Sequence, residues 1–119
     1  MLNYFKNLRG KGLKAKLLNP VDTFYDWVLG VNTLAIKKYS GELKDSTWKS
    51  DYVPTSYKDI FTLLKQAKLD KNSMLIDFGC GLGRVLFAAS YLNARHCIGV
   101  EFDKDLFLTA ESCTLRLSR

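Results

Sequence analysis

The chain has 119 residues, of which 25% are charged and 47% hydrophobic, and a net charge of +6. That profile suits one ordinary globular domain and excludes collagen, coiled coil and wholesale disorder. No apolar run reaches the ~18 residues of a membrane span, and the charge-interrupted start MLNYFKNLRGKGLKAKLL lacks the apolar centre of a secretory signal.

The charge is uneven. Residues 1–72 hold thirteen Lys or Arg against seven acids, whereas residues 73–119 hold five of each. Lys6, Arg9, Lys11, Lys14 and Lys16 form an acid-free basic arm. Such an arm is first a solvated leader, and second a surface for nucleic acid, anionic membrane or an acidic partner. Tyr4 and Phe5 are its only aromatics, and Gly10 and Gly12 weaken any long helix there.

Asn19-Pro20 breaks the chain after the arm. Asp22 is placed to cap a short helix carrying Phe24, Tyr25, Trp27 and Val28 and ending at Gly30. Residues 31–51 give no clear element, although Ser40-Gly41 marks a turn and Trp48 stands among polar neighbours. Ser56 and Asp59 form a capping-box pattern, with Asp in place of the usual Glu. Tyr57, Ile60, Phe61, Leu64 and Ala67 then fall on one helical face. Met74-Leu75-Ile76, ending at Asp77, predicts a buried parallel strand. After a glycine-rich turn, Arg84 to Leu92 is apolar on most faces and predicts a helix covered on several sides. Cys97-Ile98-Gly99-Val100 predicts a second buried strand ending at Glu101. Asp103 can cap a last helix with Leu106, Ala110, Cys113 and Leu117 in register. From residue 56 the order is helix, strand, turn, helix, strand, helix, which predicts an α/β class built on a parallel sheet with a right-handed crossover.

Cys80, Cys97 and Cys113 are widely spaced, with no Cys-x-x-Cys, so neither a disulfide framework nor a zinc site is indicated. His96 and Cys97 are adjacent on a strand and point to opposite faces, and no metal site is assigned. Reduced thiols in a cytoplasmic setting follow by default. Cys80 reads as a small residue filling its loop. Arg84 falls in the first helical turn, where a cation opposes the dipole; it is either solvated or in contact with a carboxylate.

The informative stretch is Asp77-Phe78-Gly79-Cys80-Gly81-Leu82-Gly83, with Glu101 after the next strand. The first strand brings the chain to the carboxyl edge of the sheet, where open α/β folds bind ligands. Glycines permit a tight turn and close approach of backbone to a ligand, and the free N–H groups of the following helix face the same crevice. Glu101 arrives at that edge and can accept both hydroxyls of a ribose. A nucleoside-containing cofactor is therefore implied. The dinucleotide fingerprint G-x-G-x-x-G fits in neither frame, because its third glycine would be Arg84 or Leu86. The acid at Asp77 opposes a pyrophosphate and suits a cationic amine. S-adenosylmethionine, with an ammonium, a sulfonium, a ribose and no phosphate, is favoured over a nicotinamide dinucleotide.

Residues 75–83 resemble motif I of the class I, Rossmann-like, S-adenosylmethionine-dependent methyltransferases, and Gly99-Val100-Glu101-Phe102-Asp103 resembles the family's second-strand motif. The resemblance implies that Asp77 meets the methionyl amine directly or through water. It implies that Gly79, Gly81 and Gly83 line the methionine and ribose, that Glu101 holds the ribose hydroxyls, and that Phe102 flanks the adenine. Tyr52-Val53-Pro54-Thr55 resembles the segment before motif I in some methyltransferases, including lysine methyltransferases of the telomeric-silencing-disruptor type. On that likeness Tyr52 and Thr55 would form a lid over the methionine end; on the residues alone they are a turn before a capped helix.

The implied fold is thus an incomplete Rossmann-like methyltransferase, the first βαβα unit of a parallel sheet with a helical N-terminal extension. The expected division is a basic extension over residues 1–50 and the N-terminal portion of a methyltransferase domain over 51–119. The family's Asn/Asp-Pro-Pro acceptor motif has no counterpart, so no catalytic residue is assigned. Protein, nucleic acid, lipid and small molecules all stay open as methyl acceptors. A non-catalytic fragment, binding cofactor or a partner, is the alternative. A two-stranded sheet leaves apolar faces and an open edge, to be completed by a C-terminal half or a partner chain.

Overall fold

A computed structural model describes residues 20–34 and 52–117, with the side chains of residues 116 and 117 outside that description. The basic arm, the Ser40-Gly41 turn, Trp48 and the placement of Leu117 lie outside it as well. The elements are α1 (Pro20–Val28), α2 (Tyr57–Gln66), β1 (Met74–Phe78), α3 (Arg84–Tyr91), β2 (His96–Val100) and α4 (Lys104–Leu117). β1 and β2 pair in parallel, from Met74 opposite His96 to Phe78 opposite Val100. Among the described residues no helix is long and apolar enough to cross a membrane.

Three helix starts follow their local chemistry. The Ser56 side chain accepts a hydrogen bond from the Asp59 backbone N–H at 3.1 Å and donates to the Asp59 carboxylate at 2.7 Å, which fixes the start of α2. Asp103 Oδ1 accepts from the N–H groups of Asp105 and Leu106 at 2.9 and 3.0 Å, which fixes α4. Gly83, at φ +84°, caps α3 with no side-chain bond.

The core centres on α3. Ala88 and Ala89 pack with Tyr57, Ile60 and Leu64 of α2, and Leu75 and Cys97 reach them from the strands. A second cluster joins Phe87 to Val31 and Cys113. Tyr25 seals the first cluster, its ring 4.6 Å from that of Phe61 and 5.3 Å from that of Tyr57. Gly99 is required by packing: a Cβ there would stand 2.6 Å from both Cys80 Sγ and Leu86 Cδ1. The Cys80 side chain packs against Gly99 of β2.

Two expectations are corrected. The strands are not buried on both sides. Leu75, Asp77, Cys97 and Gly99 face the helical layer, while Met74, Ile76, Phe78, Ile98 and Val100 are exposed on the other face. A short apolar run reads the same whether one face or both are covered. Asp22 does not cap its own helix either. α1 starts earlier, at Pro20, a residue suited to the first turn. Asp22 lies buried within that turn, and its carboxylate accepts the Tyr57 N–H at 2.7 Å, capping α2 from outside. The helix is inverted relative to its composition, with Asp22 and Asp26 buried and Phe24, Trp27 and Val28 exposed.

Candidate functional site

The glycine-rich turn lies at the carboxyl edge of the sheet. Gly79, Gly81 and Gly83 all have left-handed φ, at +81°, +55° and +84°, conformations that other residues adopt only with strain. The N–H groups of Gly79 and Cys80 donate to the Val100 carbonyl at 2.7 and 3.1 Å, stitching the turn to the end of β2. A Cβ at Gly81 would overlap the Tyr52 ring, whereas one at Gly79 would meet nothing within 4 Å. One side of the turn is thus roofed by Tyr52 and the other is open.

Glu101 is fixed at the opening. Its Oε2 accepts the Gly81 N–H at 2.7 Å and its Oε1 accepts the Asp103 N–H at 2.8 Å. Each oxygen keeps a further lone pair, so a pre-oriented carboxylate stands ready to accept two hydroxyls. Burial, and then the Glu101 charge, push the Asp77 carboxyl above the usual aspartate range. Burial, then Asp77 and Glu101, also raise the Cys80 thiol, which keeps it protonated and unreactive at neutral pH. The opening is electronegative and favours a cationic group over a phosphate.

Behind the turn lies a buried polar cluster. Asp26 is fully buried; its Oδ1 accepts from Thr33 Oγ1 at 2.6 Å and the Tyr57 hydroxyl at 2.9 Å, and its Oδ2 accepts the Thr33 N–H at 2.7 Å. Arg84 is 3% exposed. It donates from Nε to Thr33 Oγ1 and from Nη1 to the Thr55 carbonyl, both at 2.7 Å, and stands 3.5 Å from the Asp22 carboxylate. Its guanidinium lies 4.6 Å from the centre of the Tyr57 ring. The Tyr52 hydroxyl donates to the Thr33 carbonyl at 3.2 Å. Burial holds it up to about 12, against an opposing pull from Arg84. Burial, and then Asp26, hold the Tyr57 hydroxyl above the ordinary phenol range. Both tyrosines are therefore protonated donors at neutral pH.

Tyr52, Gly81 and Glu101 are thus in one chain of contacts, with Asp77 and Gly79 beside them. The Thr55 side chain is exposed, and it is the backbone carbonyl of Thr55 that the cluster grips. Phe102 is 82% exposed at the rim. Of the two readings for Arg84, the carboxylate contact is the one found. Asp22, Asp26, Thr33 and Tyr57 carry no local pattern that marks them as site residues, beyond a pair of aspartates four apart in an otherwise apolar helix, a spacing that puts both on one face.

Residues 32–118 match the family model described as Histone methylation protein DOT1. A curated relative from Saccharolobus islandicus (strain REY15A), named as a protein-lysine N-methyltransferase, is 36% identical over 55 residues, 45% of this chain and 34% of the relative. The chain therefore aligns with about a third of that relative's length.

Proposed function

Because this chain belongs to the family of the histone methylation protein DOT1, we propose that it forms the S-adenosylmethionine-binding portion of a methyltransferase whose acceptor is a protein lysine. The observation that carries this reading is Glu101, locked by the Gly81 N–H at the open edge of the glycine-rich turn. The donor set fits the group. Asp77 and Glu101 oppose a phosphate but suit an ammonium and a ribose diol, and Gly79 leaves its side of the turn clear. In this reading Asp77 holds the methionyl amine, Glu101 the ribose hydroxyls, and Gly79, Gly81 and Gly83 the backbone cradle. Tyr52 and Thr55 border the methionine end and Phe102 the adenine. When bound, the cofactor supplies a methyl group on a positively charged sulfur. The protein's part is to orient that group and keep water from it.

The lysine acceptor rests on the name of the Saccharolobus relative. Its test is transfer of isotopically labelled methyl from S-adenosylmethionine by the full-length protein to a mixed protein substrate. The expected result is label on lysine amines; label on nucleic acid or lipid instead overturns the acceptor.

Asp77 gives a second expectation. A carboxyl raised in the folded protein holds its proton to higher pH than the unfolded chain does. This group's contribution to stability therefore falls as pH rises from the ordinary aspartate value through the raised one. An ammonium ligand reverses the shift, so binding expels a proton in that window and affinity rises with pH. Titration with S-adenosylhomocysteine at mildly acid pH, in buffers of differing ionisation enthalpy, should register the released proton. No proton release in that window contradicts the Asp77 role.

We also propose that a C-terminal portion or a partner chain adds strands at the open sheet edge, with their connecting helices over the bare face at Ile76, Phe78 and Val100. That face alternatively favours a partner-binding fragment without an acceptor site. The proposed extension over residues 1–50 includes α1 and Thr33, which reach the cluster behind the turn. We propose a cytoplasmic location, on the odd number and wide spacing of Cys80, Cys97 and Cys113.

A further inference from the structure

We infer that Arg84 is a positioning residue whose guanidinium clamps the Tyr52–Thr55 segment over the glycine-rich turn. A cation at the first turn of a helix is disfavoured by the helix dipole, and burying a guanidinium is costly unless it is paired and hydrogen-bonded. Arg84 meets both conditions through groups from separate parts of the chain. Thr33 Oγ1 takes Nε, the Thr55 carbonyl takes Nη1, and the Asp22 carboxylate balances the charge. Nη2 has no acceptor among the described residues, so Nε and Nη1 make the clamp. These two nitrogens are held at a fixed angle by the planar group, and therefore fix Thr33 and Thr55 relative to each other.

Tyr52 hangs between the same two anchors. Its hydroxyl donates to the Thr33 carbonyl, and Thr55 ends its segment. Its ring lies against Gly81, beside the buried Leu82. Asp26 fixes Thr33 in turn, through both its N–H and its hydroxyl. A lysine at position 84 keeps the charge near Asp22 but, as a single ammonium, cannot reproduce the two-pronged geometry.

Amide hydrogen exchange of Leu82 in the full-length protein without ligand is the test. Arg84→Lys and Thr33→Val should each speed exchange at Leu82 by about tenfold, the equivalent of one lost hydrogen bond to a charged group. Thr33→Ser, which keeps the hydroxyl, should restore the parent rate. Amides in the middle of α2 should keep their protection throughout. Unchanged Leu82 exchange, or a uniform rise that includes α2, overturns the clamp. The link to cofactor rests on the binding site proposed above. In a parent that binds S-adenosylhomocysteine, the Lys and Val variants should bind it about tenfold more weakly, and equal affinity in all four proteins overturns the positioning role. A parent that binds none overturns the cofactor reading alone, since the exchange experiment needs no ligand.

Discussion

Asp26→Ala is expected to destabilise the folded protein by about 3–5 kcal/mol, the range for removing one partner of a buried charged network. Three donors lose their acceptor at once: the Thr33 N–H, the Thr33 hydroxyl and the Tyr57 hydroxyl. None can turn to water, because Thr33, Tyr57 and Asp26 are all fully buried. The loss also frees Thr33 Oγ1, the group that accepts Arg84 Nε, while the Asp22 carboxylate stays 3.5 Å from the guanidinium. Asp26→Asn should cost less but not be silent, since its amide offers one oxygen acceptor and turns an NH2 toward donors. Urea denaturation of parent and variants measures this. A loss below about 1 kcal/mol would place Asp26 among ordinary surface residues and contradict the cluster.

Glu101→Ala should weaken binding of S-adenosylhomocysteine by about 1–3 kcal/mol, through loss of charge-assisted hydrogen bonds to the ribose. The residue has two tasks. In the proposed function it offers its outward lone pairs to the ribose, and in the fold it holds the Gly81 and Asp103 N–H groups that shape the turn and the start of α4. Glu101→Gln is therefore not neutral, because one of those N–H groups then faces an amide nitrogen. Stability and affinity must be measured together. A variant that loses stability while keeping full affinity removes the ribose role and leaves Glu101 as a brace for the turn.

What could be read from the sequence divides by distance along the chain. α2 and α4 begin where Ser56 and Asp103 place them, because a cap acts within three residues. The turn at Gly79–Gly83 and the strand pair follow from glycine's freedom and from apolar runs of strand length. The carboxylate at the end of β2 was legible for the same reason, since parallel pairing puts Glu101 at the edge already reached by Asp77. The cluster behind the turn was not legible. Its bonds join Asp22 to Tyr57 and Thr33 to Arg84 across 35 and 51 residues, and no local pattern encodes such pairings. That a two-stranded sheet leaves apolar surface follows from its strand count, but which face is bare was not legible, because apolar strand residues look alike on a covered and an uncovered face. The inversion of α1 had the same origin. Propensity and hydropathy assign Asp22 and Asp26 to solvent, and only the donors on Tyr57, Thr33 and Arg84 make their burial tolerable.

The glycine-rich turn, Asp77 and Glu101 are proposed to form a site for an adenosyl cofactor that carries an ammonium and no phosphate. Calorimetric titration of the full-length protein with S-adenosylhomocysteine, and in parallel with NADH, tests it most directly. Saturable binding of S-adenosylhomocysteine with no heat from NADH is expected; saturable binding of NADH with none of S-adenosylhomocysteine rules the site out.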